Sequence, residues 1–276
     1  MIERGKTYVV MGLLDQGSIA YAVGSTIEKH GGKVIYTVQN ERMKKLFFDR
    51  SKALSAAEKA RVDIRFCDIL IDEEVINLFN DIGPIKGLVH SIAFANPNTC
   101  LGEEFHTAAY LDLKQAFHIS CISLATVTHH AQPLMEEGGA VVGMTFESRM
   151  AFPYYNWMSV NKAALEAVVR ALARRHGRDL IRVNAVSAGP LTTKAAKAIP
   201  HFAYLARTWR KTSPLPWDPI EDKQAVADAT AFLLGPHAQK ITGQVIHVDG
   251  GASAMGGELQ PFERYIAGEE EEEESL

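Results

Sequence analysis

The chain has 276 residues, 47% hydrophobic and 22% charged, an ordinary soluble composition that can bury one large core or two small ones. The formal net charge of −4 includes an uninterrupted acidic run, Glu269 to Glu274, and removing those six charges leaves the body at +2. No basic stripe offers a nucleic-acid surface and no apolar run is long enough to span a membrane, so neither partner is expected.

The opening M-I-E-R-G-K passes directly into a strand without a signal-type apolar region, and a cytoplasmic location is expected. Thr7 to Met11 is a β-branched strand, Gly12 to Gly17 a loop, and Ser18 to Lys29 a helix stopped by Gly31-Gly32. Val34 to Val38 forms a second strand, followed by a charged helix from Glu41. Asp63 to Cys67 is a third strand, and a helix with an acidic cap runs from Asp72 to Asn80. Gly87 to Ser91 supplies the fourth strand, Asp112 to Leu134 one long helical period, and Gly139 to Met144 the fifth strand. A helix from about Tyr155 to Arg175, strands at Arg182 to Val186 and Val245 to Val248, and a helix at Lys223 to Leu234 complete the alternation. Strands that are continuous apolar runs separated by helices predict an α/β fold. They imply a single Rossmann-type doubly wound parallel sheet of about seven strands, with helices on both faces.

No linker divides the chain, so residues 1–260 are expected to form one nucleotide-binding domain and 261–276 a disordered acidic tail. The irregular stretch Pro190 to Trp217 is read as an insertion over the carboxyl ends of the strands, where such sheets bind ligands. Cys67, Cys100 and Cys121 are widely spaced and imply reduced thiols with no metal site. His90, His118 and the pair His129-His130 lack ligand spacing and are read as structural or surface side chains.

The stretch from Met144 to Glu166 carries the chemistry. Tyr155 precedes Lys162 by seven residues, which on a regular helix places both on one face roughly 10 Å apart. A small hydroxylated group fits between them, although an amphipathic surface pair has the same spacing. At the other end, the first strand, turn and helix can seat a pyrophosphate on the helix dipole. The turn G-L-L-D-Q-G-S-I-A lacks the G-x-G-x-x-G fingerprint, however, and a plain structural turn remains open. Gln39 ends the second strand, where the adenosine ribose is read, and Gln39-Asn40-Glu41 favours NADH over NADPH, with Arg42 pulling the other way. Asp68 could accept from the adenine amino group or simply cap its loop.

Several separate stretches together resemble the enoyl-acyl-carrier-protein reductases, the divergent branch of the short-chain dehydrogenase/reductase superfamily. The resemblance runs from Lys6 to about Ala254. It rests on Gly12, Ser18 and Ala20 in the first turn, V-H-S-I-A-F-A from Val89, R-V-N-A-V-S-A-G-P from Arg182 and H-V-D-G-G from His247. The Y-x6-K spacing is its most specific part. Typical superfamily members place the Tyr four before the Lys, where this chain has Met158, and a Ser thirteen before the Tyr, where it has Val142.

The resemblance implies NADH-dependent reduction of trans-2-enoyl thioesters carried on acyl-carrier protein, in dissociated fatty-acid synthesis. It implies Tyr155 as hydrogen-bond donor to the thioester oxygen, Lys162 on the nicotinamide ribose, and Phe146 beside nicotinamide and substrate, as in the branch handling long acyl chains. Tyr154 would be a decoy turned off the Lys face. Gly12, Ser18, Ile19, Gln39, Asp68, Ile69, Ser91, Ile92, Ala93, Leu191, Thr193 and Ala195 are expected at the cofactor. Ala95, Met158, Ile199 and Phe202 are expected at the substrate, with core packing the alternative for the last three. Thr192 and Ala93 depart from the family's usual Arg and Gly. A homotetramer burying the two long helices is also implied. The alternatives are a carbonyl or alcohol enzyme on the same fold and a dinucleotide-binding regulator without chemistry.

Overall fold

Seven parallel strands form one sheet in the order β3-β2-β1-β4-β5-β6-β7 in the computed structural model, which describes residues 1–102 and 104–259. The strands are β1 (Thr7–Met11), β2 (Lys33–Val38), β3 (Asp63–Phe66), β4 (Gly87–His90), β5 (Gly139–Thr145), β6 (Ile181–Ala188) and β7 (Val245–Val248). The acidic tail expected at 261–276 lies outside the described residues. The doubly wound reading holds: the order reverses between β1 and β4, and a crevice opens at that switch point.

Alternate side chains of the central strands enter opposite layers. Tyr8, Val10, Val142 and Val186 pack with α1 (Ile19–Lys29) and with the late helix that carries Val226 and Ala231. Val9, Met11, Val141 and Val183 pack on the other face with Val75, Leu124 and Leu165. A fully buried Val or Leu contributes about 1.5–3 kcal/mol, so two dry layers on one sheet account for most of its hold. Close approach matters at Gly24 of α1, where an added Cβ would lie 2.0 Å from the Tyr36 hydroxyl.

The local elements depart from sequence periodicity in four places. Beyond Glu41 the chain makes only a short α2 (Glu41–Met43), a π-helical turn over Lys44–Asp49 and α3 (Ala56–Lys59). The helix α4 (Asp72–Asp81) has Ile71 at its N-cap, and Asp72 is its first residue instead of a cap; the acidic first turn still complements the dipole. The long helix expected at Asp112 to Leu134 is α5 (Tyr110–Phe117), a π-helical segment His118–Ile122, α6 (Ser123–Ala131) and a terminal 3-10 turn. The side-chain period cannot reveal one inserted residue per turn. After α7 (Asn156–His176), the stretch 190–217 is not irregular throughout, since α8 (Phe202–Thr212) lies within it. The last helix is α9 (Lys223–Leu234).

Candidate active site

A single cavity of about 550 Å³ runs along the carboxyl ends of β1, β2, β4, β5 and β6, a size suited to a bound small molecule. Every residue singled out above as catalytic, cofactor-binding or substrate-binding lines it. One end holds Gln39, Asp68 and Ile69, the middle Gly12, Ser18, Ile19, Ser91 and Thr193, and the other end Phe146, Tyr155, Met158 and Lys162. Ile92, Ala93, Ala95, Leu191, Ala195, Ile199 and Phe202 complete the walls.

The turn after β1 is shaped for a close approach. Gly12 has φ +94°, and an added Cβ there would lie 2.1 Å from the Ser91 carbonyl oxygen, so β1 and β4 meet at the cavity floor without a side chain between them. Ser18 caps α1: its hydroxyl accepts from Tyr21 N at 3.2 Å and donates to the Asp15 carbonyl at 2.6 Å. At the far end the Gln39 amide nitrogen donates to Asp68 Oδ2 at 2.8 Å, which leaves the Gln39 amide oxygen for a ligand hydroxyl. Asn40 is occupied as the cap of α2, accepting from Met43 N at 2.9 Å.

Tyr155 stands at the N-cap of α7, not inside it, between two residues of positive φ, Tyr154 at +64° and Asn156 at +24°. The straight-helix geometry used for the Tyr155–Lys162 pair therefore begins one residue late. Asn156 Nδ2 donates to the Gly102 carbonyl at 2.6 Å, and Gly102 N donates to the Tyr154 carbonyl at 3.3 Å, which fixes this turn. Tyr154 is off the lysine face because it precedes the helix; its ring lies 4.5 Å from that of His201. The Tyr155 ring packs 4.9 Å from Phe146, which also touches Phe152 and Trp209. Burial pushes the Tyr155 phenol well above its ordinary range, so it is a protonated donor across the working pH range. Its neutral state is set by that burial.

Lys162 is 5% exposed and donates to the Met144 carbonyl at 2.9 Å. Loss of solvent lowers its pKa from 10.5 to about 8, against an opposing pull from Cys121 and Glu166. One turn further along α7, Glu166 accepts from Thr145 Oγ1 at 2.9 Å and Ser148 Oγ at 2.8 Å. Glu147, 2% exposed, is held by the Arg149 guanidinium at 2.7 Å and by His247 at 3.1 Å. Phe146 thus sits between two anchored neighbours. Sequence reasoning missed both carboxylates, although the four-residue step from Lys162 to Glu166 pointed to a shared face.

Behind the lysine, buried His90 is pushed down to about 3 by burial and by the Lys162 charge. The Ser123 hydroxyl donates to the Ile119 carbonyl at 2.7 Å, so His90 Nε2–H donates to Ser123 Oγ, also at 2.7 Å. The structural reading of His90 fits its burial and this bond, and its Nδ1 has no hydrogen-bond partner among the described residues. The three cysteines are free and buried, and no group of three metal-ligating side chains occurs among the described residues. No helix among them is long and apolar enough to cross a membrane.

These features have counterparts in known proteins. The family model described as enoyl-(acyl carrier protein) reductase matches residues 12–253. The NADPH-type enoyl-[acyl-carrier-protein] reductase of Staphylococcus aureus is 38% identical over 91% of this chain and 97% of its own length. The NADH-type enzyme of Bacillus cereus is 36% identical over 92% of this chain and 98% of its own. Among solved structures, the Anaplasma phagocytophilum reductase in complex with NAD superposes with a TM-score of 0.84 at 31% identity, covering 93% of this chain and 97% of that one. With fold, cavity and motif spacing in agreement over nearly its whole length, the chain belongs to the enoyl-(acyl carrier protein) reductase family.

Proposed function

We propose that this protein reduces the trans-2 double bond of enoyl-acyl-carrier-protein thioesters in fatty-acid biosynthesis, with NADH as its preferred cofactor. The observation that supports this most is the convergence of Tyr155, Lys162 and Phe146 at one end of the cavity whose other end is Gln39 and Asp68. The cavity fits a dinucleotide: a capped helix start at its centre, a free amide acceptor at Gln39, and a buried ammonium with one protein acceptor at Lys162. Bound there, reduced nicotinamide supplies the hydride to C3. Tyr155 donates a hydrogen bond from its phenol to the thioester oxygen as charge builds there, which is the main electrostatic requirement of the step. Lys162 holds ribose hydroxyls, and Gly12, Ser18, Ile19, Ser91, Ile92, Ala93, Leu191, Thr193 and Ala195 seat the rest of the cofactor. Phe146, Met158, Ile199, Phe202 and the Ala95 backbone form the acyl side.

NADH is preferred because the adenosine end offers the acceptors of Gln39 and Asp68. The nearby cations Lys44 and Lys45 are already paired with Asp49 and Glu41 at 2.8 Å each. A 2′-phosphate would therefore meet acceptors and engaged ammonium groups, with Arg42 the opposing cation. The same reading takes residues 1–260 as one nucleotide-binding domain, 190–217 as its substrate-binding part, and the enzyme as a cytoplasmic homotetramer.

The deciding assay follows NADH and NADPH consumption with crotonyl, dodecenoyl and acetoacetyl thioesters. Turnover of the enoyl substrates alone, faster with NADH, is expected; reduction of the ketone alone would overturn the reading. Tyr155→Phe should lower turnover with little effect on NADH binding, while Lys162→Ala should weaken that binding. Equal loss of NADH affinity in both variants would contradict the roles given.

A further inference from the structure

Lys194 lies in the segment after β6 and reaches across the cavity to the turn after β1. Its ammonium is 3.2 Å from Asp15 Oδ2 and 4.6 Å from the centre of the Phe47 ring, in the π-helical turn that follows β2 and α2. One cation thus joins three segments that border the cofactor cleft, and both Lys194 and Asp15 line it. Asp15 cannot turn away easily. Its Oδ1 accepts from Gly17 N at 3.0 Å, its carbonyl accepts from Ser18, and its side chain is 13% exposed.

A carboxylate fixed immediately ahead of the capped start of α1 is electrostatically wrong for a pyrophosphate seated there, because like charges a few ångströms apart in a half-buried cleft repel. A cation on a flexible stem, 40% exposed and resting on an aromatic face, can both neutralise that carboxylate and turn to the phosphates. Lys223 is near enough to feel Asp15 as well, but it is half-buried on α9.

We propose that Lys194 is a positioning residue for the cofactor pyrophosphate, held ready across the cleft by Asp15 and Phe47 until the dinucleotide arrives. This rests on the cofactor reading above and adds to it a residue outside the sequence motifs. It also gives Asp15 a definite role as the internal competitor for that cation.

The test is a binding titration of the intact, substrate-free enzyme with NADH, ADP-ribose and adenosine, read by calorimetry over a range of salt concentrations. Lys194→Met should raise the Kd for NADH and ADP-ribose about tenfold and leave adenosine unchanged, since one charge-assisted contact to phosphate is lost. Lys194→Arg should retain wild-type affinity to within about threefold, as the charge is kept. Asp15→Asn should tighten both phosphate-bearing ligands, and the dependence of Kd on salt should be shallower in Lys194→Met than in wild type. Unchanged NADH binding in Lys194→Met, or an equal loss for adenosine, would overturn the proposal. Wild type that binds no dinucleotide would overturn the cofactor reading itself, which keeps the two failures distinct.

Discussion

At the residue scale the cost and use of Lys162 can be separated. An ammonium buried with one carbonyl partner opposes folding, since its folded pKa of about 8 lies below the ordinary 10.5. Below pH 8 both folded and unfolded chains hold the proton, and the penalty is complete. Between about 8 and 10.5 the unfolded chain holds a proton that the folded one has released, so this contribution makes stability rise with pH. Lys162→Met should therefore stabilise the free protein at pH 7 by on the order of 2 kcal/mol, with the gain shrinking as pH approaches 10.5. Chemical denaturation at several pH values measures this; a destabilised variant at pH 7 would show that the Met144 bond outweighs desolvation. The identity of Lys162 was legible in the sequence because its spacing from Tyr155 is chemical. The anchoring of its neighbourhood by Glu147 and Glu166 was not, because those bonds join residues up to 100 positions apart.

Among the elements, the π-helical segment His118–Ile122 is the clearest case of function hidden from periodicity. It turns Ser120, fully buried, toward the loop after β4, where its hydroxyl accepts from Phe94 N at 3.0 Å and donates to the Phe94 carbonyl at 2.9 Å. Ala93 and Ala95, on either side of Phe94, both line the cavity. Ser120→Ala leaves two backbone groups without their partner and should cost about 1–3 kcal/mol. It should also raise KM for the enoyl thioester, because the Ala95 backbone is no longer held. Loss of stability with unchanged KM would restrict the clamp to a folding role. A sequence reading as one long helix gives no sign of this, since an extra residue within a turn leaves the apolar stripe continuous. The helix α8 was missed for a related reason: Pro190, Pro200, Pro214 and Pro216 around it read as loop, although its own buried Leu205 and Trp209 recur at helical spacing.

For the whole molecule, the parallel order of strands was the most legible feature, because doubly buried strands such as β1 and β5 read as near-continuous apolar runs. Tyr110 and Leu111 at the start of α5 are exposed by 75% and 73%. A homotetramer should appear in solution as a species of four times 30.3 kDa by light scattering, and a monomer would contradict it. The wall over the cavity is tied at both ends: Trp217 Nε1 donates to the Pro190 carbonyl at 2.9 Å, and Trp209 Nε1 to the Asp249 carbonyl at 2.9 Å. Both moorings are buried indoles, so a ligand entering past Ile199 and Phe202 does not have to shift the sheet or the two tryptophans. Between Pro190 and Trp209, His201 at φ +52° already holds an uncommon backbone state for a side-chain-bearing residue. Admission of an acyl chain thus becomes a local rearrangement between Pro190 and Trp209 with fixed end points, felt at Tyr155 only through the contact of His201 with the adjoining Tyr154.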